Sequence, residues 1–148
     1  MKNLYLAYGS NLNLKQMGYR CPDAVIRGST ILKDYQLYFR GNRHSGVATI
    51  EAKRGSLVPV LLWEITEACE QALDRYEGYP HLYRKEKLKV HLDTVEVDVM
   101  AYIMNECYPY ALPGMRYYTT ILEGYHDCGF RKEVLNKAVI ATRKAIGG

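Results

Sequence analysis

The chain has 148 residues, of which 48% are hydrophobic and 24% charged, and its formal net charge is +4. This length and balance are typical of one globular domain, here residues 1–148, that is large enough to form its own core. Lysine and arginine are spread along the chain without a block of five or six, which disfavours a nucleic-acid partner. The longest apolar run, residues 57–63, contains Pro59 and is too short to span a bilayer, so no membrane partner is expected.

The first half of the chain alternates between apolar segments and turns. A strand at residues 4–8 leads through Gly-Ser-Asn into a short helix at residues 14–19, which ends before Pro22 because the residue preceding proline avoids the helical region. Four further strands are predicted from alternation, aromatic content or strong apolarity, at residues 24–31, 35–40, 47–52 and 57–65.

The second half is dominated by helical patterns. Thr66 is the predicted N-cap of a helix that ends near Glu77, with Gly78 as the C-terminal glycine. Two strands, at residues 83–92 and 95–104, then flank the turn at Asp93-Thr94, and helices follow at residues 115–127 and 131–145. Strands early and helices late predict an α+β fold with a mostly antiparallel or mixed sheet that can curl into a barrel.

The cysteines and histidines show no metal-binding spacing. There is no C-x-x-C and no His-Glu-x-x-His, so neither a structural zinc site nor a disulfide framework is expected. Reduced thiols in a cytoplasmic protein are the default for the four cysteines, Cys21, Cys69, Cys107 and Cys128. The N-terminus runs directly into a strand, which predicts no signal peptide. Fourteen tyrosines against two phenylalanines suit a polar ligand pocket, although buried tyrosines with satisfied hydroxyls are the commoner explanation for any one of them.

The first candidate functional segment is Tyr8-Gly9-Ser10-Asn11-Leu12. Glycine adopts positive φ without steric cost and asparagine tolerates the left-handed region, so these residues suit a tight turn between a strand and a helix. Such a turn directs several backbone N–H groups into one small space, where they can hold a carboxylate or a developing oxyanion. The alternative from these residues alone is a connector with a helix cap.

The second candidate is Glu77, at the end of the predicted helix that runs into Gly78. A carboxylate there meets the negative end of the helix dipole, and partial burial would raise its pKa further. A carboxyl group with a raised pKa is suited to general base catalysis near neutral pH. The alternative is a surface glutamate paired with Arg75 or Arg84.

The third candidate is Tyr117, in the run Pro113-x-x-x-Tyr117-x-x-x-Ile121-x-x-Gly124. Tyr117 opens a helix after a proline-containing loop, so its hydroxyl can face a pocket, while Ile121 and Gly124 follow on the same side. The alternative is a core aromatic residue at helical spacing. Ser10 lacks a G-x-S-x-G elbow and an obvious histidine partner, which argues against a serine triad.

In this order along the chain, the three segments resemble the γ-glutamylcyclotransferase-like family. The resemblance rests on the Tyr8–Leu12 run, on Leu73-Asp74-x-x-Glu77-Gly78 followed by Tyr83-Arg84, and on the Pro113–Gly124 run, and it extends from residue 4 to about residue 130. The AIG2-like branch of the family typically has Tyr-Gly-Thr-Leu in place of the Tyr8–Leu12 run. The chain is therefore more similar to the γ-glutamylcyclotransferase branch. The resemblance implies a small mixed, mostly antiparallel β-barrel with flanking helices, the fold of the butirosin-pathway cyclotransferase and the AIG2-like proteins.

The resemblance also implies an activity. The free α-amino group of a γ-glutamyl amine or γ-glutamyl amino acid attacks its own γ-carbonyl, giving 5-oxoproline and the free amine without a cofactor. The family's catalytic acid/base falls on Glu77. Its substrate-binding positions fall on Tyr5, Leu6, Ala7, Tyr8, Gly9, Ser10, Asn11, Tyr83 and Tyr117. The chain departs from the family at Gly114, where serine is frequent.

Two alternatives to this enzyme remain open from the sequence. A non-catalytic small-molecule binding or regulatory protein on the same fold would retain Glu77 without turnover. The expected partner in either case is a small γ-glutamyl molecule, and the chain is expected to be a monomer or homodimer. The third possibility, a nucleic-acid module, is disfavoured by the dispersed charge.

Overall fold

The computed structural model describes residues 3–148, which form one five-stranded sheet and four α-helices. The strands are β1 Asn3–Ala7, β2 Val25–Asn42, β3 Ser45–Ile65, β4 Tyr83–Leu92 and β5 Val95–Met104. The helices are α1 Leu14–Arg20, α2 Glu67–Glu77, α3 Met115–Cys128 and α4 Glu133–Gly147. A single 3₁₀ turn, Ser10–Leu12, connects β1 to α1.

The sheet is mixed, and its strand order is β2-β3-β1-β5-β4. Neighbouring strands are antiparallel except β1 and β5, which are parallel and paired at Tyr5 and Met100. The predicted α+β class with a mixed, mostly antiparallel sheet is therefore confirmed. The predicted barrel is not closed, because the main-chain ladder is open between β2 and β4. These outer strands approach each other and are joined by Thr30 Oγ1, which donates to the His91 carbonyl at 2.6 Å.

The four strands predicted between residues 24 and 65 are in fact two long ones, β2 and β3, which form a single hairpin. The pattern between the predicted strands also indicates a turn at residues 53–56, and this prediction is wrong. The chain continues there as β3 and forms an irregularity in the ladder opposite Asp34. Asp34 and Gly55 both have positive φ, 65° and 86°, and the Gly55 N–H donates to Asp34 Oδ1 at 2.9 Å. The register shift beside them lets both strands bend and continue, so a polar glycine-containing segment did not end the strand.

Helix α2 has the ends that the sequence predicts. Thr66 Oγ1 accepts a hydrogen bond from the Cys69 N–H at 3.1 Å, which caps the first turn. Gly78 has a φ of 64° and donates its N–H to the carbonyls of the last turn, as helix-ending glycines do. Glu77 is consequently the last residue of α2, at the negative end of the helix dipole.

The core lies between the sheet and the helices. Its fully buried side chains include Leu6 and Leu62 from the sheet and Ile121 from α3. Gly124 of α3 permits close approach to the turn after β1, since a Cβ there would lie 2.7 Å from the Asn13 nitrogen. This contact fixes α3 against the segment that follows β1. None of the helices in residues 3–148 is both long and apolar enough to cross a membrane.

A disulfide joins Cys21 to Cys69, with a Cα–Cα distance of 5.1 Å. The expectation that all four cysteines are reduced thiols is therefore wrong for this pair. Cys21 directly follows α1 and Cys69 lies in the first turn of α2, so the bond fastens the two helices together. The 48-residue separation carries no sequence motif, and only the fold brings the two residues together.

Candidate active site

A cavity of about 190 Å³ opens beside the end of β1 and receives side chains from the sheet, α2 and α3. Leu6 and Ala7, also predicted to bind substrate, do not line it. Their side chains are buried in the core, and the role predicted for them stays a prediction. The cavity brings together the other predicted site residues, namely Tyr5, Tyr8, Gly9, Ser10, Asn11, Glu77, Tyr83 and Tyr117.

A close contact requires glycine at position 9. The positive φ that the sequence suggested for this turn is not observed at Gly9. Its φ is −126°. A Cβ on Gly9 would lie 3.1 Å from the Ala48 Cβ and 3.6 Å from the Tyr117 hydroxyl oxygen. The missing side chain therefore lets the turn after β1 pack directly against β3 and against the tyrosine that opens α3.

Glu77 is half-buried, and its carboxyl group faces the cavity. Burial raises the pKa of this carboxyl to about 7, while the Arg20 guanidinium acts in the opposite direction and lowers it. The surface pair with Arg84 that the sequence left open does not form, because Arg84 pairs with Glu86 at 2.7 Å. Glu77 is consequently a carboxyl group that changes protonation state near neutral pH.

Two tyrosines that line the cavity donate their hydroxyl protons to main-chain carbonyl groups of the protein. Tyr83 donates to the Ala48 carbonyl at 2.5 Å, and Tyr8 donates to the Tyr102 carbonyl at 2.5 Å. Burial raises the pKa of both phenols well above the ordinary value, so both stay neutral. Each hydroxyl can therefore only accept a hydrogen bond from a molecule in the cavity.

Tyr5 and Tyr117 have the opposite character. Tyr5 accepts a hydrogen bond from Asn11 Nδ2 at 2.9 Å, and Tyr117 accepts one from the Ala48 N–H at 3.0 Å. Burial raises the pKa of both phenols, which keeps their protons in place. Because each hydroxyl is already an acceptor, its proton remains available for a ligand. These four tyrosines thus offer two phenolic donors and two phenolic acceptors to a molecule in the cavity.

Several residues of this site carry no motif that identified them in the sequence. Tyr76 directly precedes Glu77, and its hydroxyl lies 3.1 Å from Ser10 Oγ. The Arg20 guanidinium lies 3.6 Å above the Tyr76 ring and donates to Asn11 Oδ1 at 2.6 Å. Adjacency to Glu77 was an available signal for Tyr76. Arg20 shows no such signal, because only the packing of α1 on α2 brings it to the site.

The site has one titratable acid, neutral phenols and a closely packed glycine turn. No group of three histidine, cysteine or acidic residues that could hold a metal occurs within residues 3–148. A carboxyl group with a pKa near 7 in a small polar cavity is suited to moving a proton on a small molecule. Fold and site together define a small α+β protein whose polar cavity contains, among residues 3–148, a single carboxyl group, that of Glu77.

Comparison with known proteins identifies the family. Residues 5–124 match the family model described as gamma-glutamyl cyclotransferase, AIG2-like, and the chain belongs to this family. It is 31% identical over 143 residues to a Mus musculus protein named gamma-glutamylcyclotransferase, an alignment that covers 90% of this chain and 76% of that protein. The Homo sapiens protein of the same name is 29% identical over the same shares. A solved structure titled gamma-glutamyl cyclotransferase superimposes with a TM-score of 0.83 at 28% identity, covering 93% of this chain and 86% of the other.

Proposed function

We propose that the protein is a γ-glutamylcyclotransferase that converts a γ-glutamyl amine or γ-glutamyl amino acid to 5-oxoproline and the free amine. The two curated relatives with that name support the activity, since their alignments cover three-quarters of their length. The reaction transfers an acyl group from one nitrogen to another within the substrate. It consumes no water and needs no oxidant, so the proposed scheme assigns no task to a cofactor.

The reaction requires a group that accepts a proton and then returns one. In the proposed mechanism the Glu77 carboxylate removes a proton from the substrate's α-ammonium group. The amine nitrogen then attacks the γ-carbonyl carbon, and the carbonyl electron pair moves to oxygen. When the tetrahedral intermediate collapses, the bond to the leaving nitrogen breaks and Glu77 returns the proton to that nitrogen. The ring nitrogen then gives up its second proton through Glu77 to the released amine, which departs as an ammonium ion and leaves the neutral lactam N–H of 5-oxoproline. Because both reacting groups belong to one molecule, holding it in a folded conformation supplies much of the rate enhancement.

The pKa of Glu77 is the observation that carries this proposal. A carboxyl group with a pKa of about 7 is partly ionised at neutral pH, so it can serve as base in one step and as acid in the next. An ordinary exposed glutamate, with a pKa of about 4.3, would be a much weaker base towards the α-ammonium group and would rarely hold a proton at neutral pH. The burial that raises the pKa therefore matches the two successive tasks of the mechanism.

The remaining site residues are proposed to hold the substrate. Backbone N–H groups of the Tyr8–Asn11 turn would stabilise the oxyanion, and Ser10 supplies a further hydroxyl at the same wall. Tyr5 and Tyr117 keep a proton for the carboxylate or carbonyl oxygen of the substrate. Tyr83, whose proton is already donated to Ala48, would accept a hydrogen bond from the substrate's ammonium group.

The test is release of 5-oxoproline from γ-Glu-Ala, γ-Glu-ε-lysine, a γ-glutamyl alkylamine and glutathione by wild type and Glu77→Gln. Wild-type turnover that falls about 10²–10⁴-fold in the variant is expected for loss of a general acid/base. Equal turnover by both proteins would refute the role of Glu77. Ligand binding without turnover by the folded wild type would favour a binding protein instead. A cytoplasmic location and a monomer or homodimer belong to the same proposal, and cell fractionation and light scattering would test them.

A further inference from the structure

Asp74 fastens the last turn of α2 to the sheet. Its Oδ1 atom accepts a hydrogen bond from the Tyr102 hydroxyl of β5 at 2.5 Å and lies 2.9 Å from the Lys85 Nζ of β4. Lys85 and Tyr102 are directly opposite each other in the β4–β5 ladder. One carboxylate of α2 is therefore held by two neighbouring strands at once, about one helical turn before Glu77.

Tyr102 also contacts two tyrosines of the cavity. Its ring packs edge-on against Tyr5, with 5.8 Å between the ring centroids, and its main-chain carbonyl accepts the hydrogen bond from the Tyr8 hydroxyl. Tyr102 itself lines the cavity and is almost fully buried. The bond between Asp74 and Tyr102 thus joins the helix that ends at Glu77 to the residue that fixes two phenols of the site.

The Tyr102 hydroxyl has Asp74 as its principal acceptor. The Glu70 carbonyl is the other acceptor within reach, and it lies 3.5 Å away, whereas Asp74 Oδ1 lies at 2.5 Å. Burial raises the pKa of the Tyr102 phenol, and the hydrogen bond to Asp74 raises it further, so the hydroxyl keeps its proton. A neutral phenol that donates to a carboxylate forms one of the stronger kinds of hydrogen bond in proteins.

The last turn of α2 depends on such polar contacts for its position. The buried residues of this helix are Cys69 and Leu73, and both precede the last turn. The Asp74 carbonyl accepts a hydrogen bond from the Tyr79 N–H at 2.9 Å, which closes the helix after Glu77. Asp74 therefore holds this turn through its main chain and connects it to the sheet through its side chain.

We propose that Asp74 and Tyr102 are positioning residues, whose hydrogen bond holds the last turn of α2 in place and so keeps the Glu77 carboxyl inside the cavity. The effect on turnover rests on the proposed function. Without the bond, the end of α2 is free to move away from β5, and water reaches the carboxyl more easily. The base is then both misplaced for the substrate and better solvated, which slows proton transfer and lowers the pKa of Glu77 towards the ordinary glutamate value.

Tyr102→Phe tests this without changing any charge near Glu77. Burial is the largest cause of the raised pKa of Glu77, and the Arg20 guanidinium of α1 acts against it. Lys85, Asp74 and Glu70 keep their ion pairs in the variant. A change in the pKa of Glu77 therefore reports the position and solvation of its carboxyl. The variant also retains the other phenols that line the cavity with Glu77, namely Tyr5, Tyr8, Tyr76, Tyr83 and Tyr117.

The first experiment measures 5-oxoproline release by Tyr102→Phe and by Tyr110→Phe. The Tyr110 hydroxyl donates to Glu51 Oε1 at 2.8 Å and the Arg40 guanidinium lies 3.7 Å from its ring centroid, so this control loses the same kind of bond outside the cavity lining. In Tyr102→Phe, kcat should fall about ten- to hundredfold, and the acidic limb of kcat/KM should move to lower pH by about one pH unit. Tyr110→Phe should keep the wild-type kcat and limb. An unchanged limb in Tyr102→Phe would overturn the inference, whatever stability is lost in urea.

A second pair of variants tests Asp74 itself. Asp74→Asn and Asp74→Leu remove the same charge, but only asparagine retains an oxygen that accepts the Tyr102 hydrogen bond. Asp74→Asn should therefore retain most of the wild-type kcat, and Asp74→Leu should lose about as much as Tyr102→Phe does. Equal kcat values for the two Asp74 variants would show that the hydrogen bond does not position the base, and would overturn the inference.

A direct titration separates this inference from the reaction itself. The side-chain carboxyl signals of carbon-13-labelled glutamate are followed by NMR between pH 4 and 9 in wild type, Tyr102→Phe and Tyr110→Phe, and Glu77→Gln assigns the Glu77 signal. A lower titration midpoint in Tyr102→Phe than in the other two supports the inference even if no substrate is turned over. Equal midpoints in all three overturn it. Absence of wild-type turnover together with a lowered midpoint in Tyr102→Phe would refute the proposed enzyme but not the positioning of Glu77.

Discussion

The Tyr117 hydroxyl accepts a hydrogen bond from the Ala48 N–H at 3.0 Å. The carbonyl of the same Ala48 accepts a hydrogen bond from the Tyr83 hydroxyl at 2.5 Å. One residue of β3 thus fixes two tyrosines with opposite hydrogen-bonding roles, because Tyr83 gives up its proton and Tyr117 retains it. Towards a molecule in the cavity, Tyr117 can therefore donate a hydrogen bond, whereas Tyr83 can only accept one.

This relationship predicts different results for two otherwise similar substitutions. Tyr117→Phe and Tyr83→Phe each remove one hydrogen bond to Ala48, and each is expected to lower the free energy of unfolding by about 1–3 kcal/mol. Only Tyr117→Phe also removes a proton donor from the cavity. Its kcat/KM should therefore fall by about 10²-fold, and that of Tyr83→Phe by much less.

Urea unfolding and 5-oxoproline release on the same two variants measure both quantities. Each variant is the control for the other, since each loses one phenolic hydroxyl and one hydrogen bond to Ala48. A larger loss of kcat/KM in Tyr83→Phe than in Tyr117→Phe would contradict the assignment of donor and acceptor.

The raised pKa of Glu77 predicts how activity depends on pH. If the carboxylate removes the first proton, kcat/KM should rise with pH through an apparent pKa of about 7 and level off above it. Arg20 lowers the pKa of Glu77, so Arg20→Met should move this limb to higher pH. Rate profiles between pH 5 and 9 would show both effects. An unchanged limb in Arg20→Met would mean that the limb reports another group.

The same pKa predicts a pH dependence of stability. The folded-state pKa of Glu77 lies above the ordinary glutamate value of 4.5, so the folded state binds this proton more tightly than the unfolded state. The free energy of unfolding should therefore decrease as pH rises from about 4.5 to about 7, by up to roughly 3 kcal/mol. Glu77→Gln removes this decrease, and it should be more stable than wild type at pH 8 but not at pH 4.5. Urea unfolding at the two pH values checks this, and a variant less stable than wild type at pH 8 would contradict it.

The sequence predicted the parts of the site that lie on local motifs. The turn after β1, the last residue of α2 and the first turn of α3 each have a local signal, namely a glycine-containing run, a cap or a proline-containing loop. Arg20, Ala48 and Tyr102 have none, because their positions depend on how α1, β3 and β5 pack. The strands show the same contrast between local and non-local signals. The sequence predicted β4 and β5 at their observed bounds, but it predicted four short strands where the long strands β2 and β3 form one hairpin. The contact between Asp34 and Gly55 that keeps this hairpin continuous is not local in sequence.

Gly9 predicts a steric effect on the site. In Gly9→Ala, the new Cβ would lie 3.1 Å from the Ala48 Cβ, closer than ordinary van der Waals contact. The turn or β3 has to shift by a few tenths of an ångström, and the Tyr117 hydroxyl would move with them. We expect a kcat/KM at least tenfold lower and a loss of about 1–3 kcal/mol in the free energy of unfolding.

Gly18 of α1 is the matched control for this substitution. A Cβ there meets nothing within 4 Å, so Gly18→Ala should raise the free energy of unfolding by roughly 0.5–1 kcal/mol through helix propensity alone. Its kcat/KM should stay at the wild-type value. Full activity of Gly9→Ala would show that the close contact between the turn and β3 is not needed for catalysis.

The Cys21–Cys69 disulfide predicts a redox-dependent stability. Thiol titration of the denatured protein should give two thiols, from Cys107 and Cys128, and four after reduction. The bond closes a loop across 48 residues, so Cys21→Ser/Cys69→Ser should lower the free energy of unfolding by about 2–4 kcal/mol. Cys107→Ser, at an exposed position, is the control and should unfold like wild type.

The same bond connects the two helices that supply Arg20 and Glu77 to the site, and Arg20 directly precedes Cys21. Without the bond, α1 is free to move relative to α2, and the guanidinium loses part of its effect on the carboxyl. The double variant should therefore raise the pKa of Glu77 and move the acidic limb of kcat/KM to higher pH, as Arg20→Met does. Four thiols in the denatured, unreduced protein would show that the bond does not form. A lower stability with an unchanged limb would show instead that packing alone holds Arg20 beside Glu77.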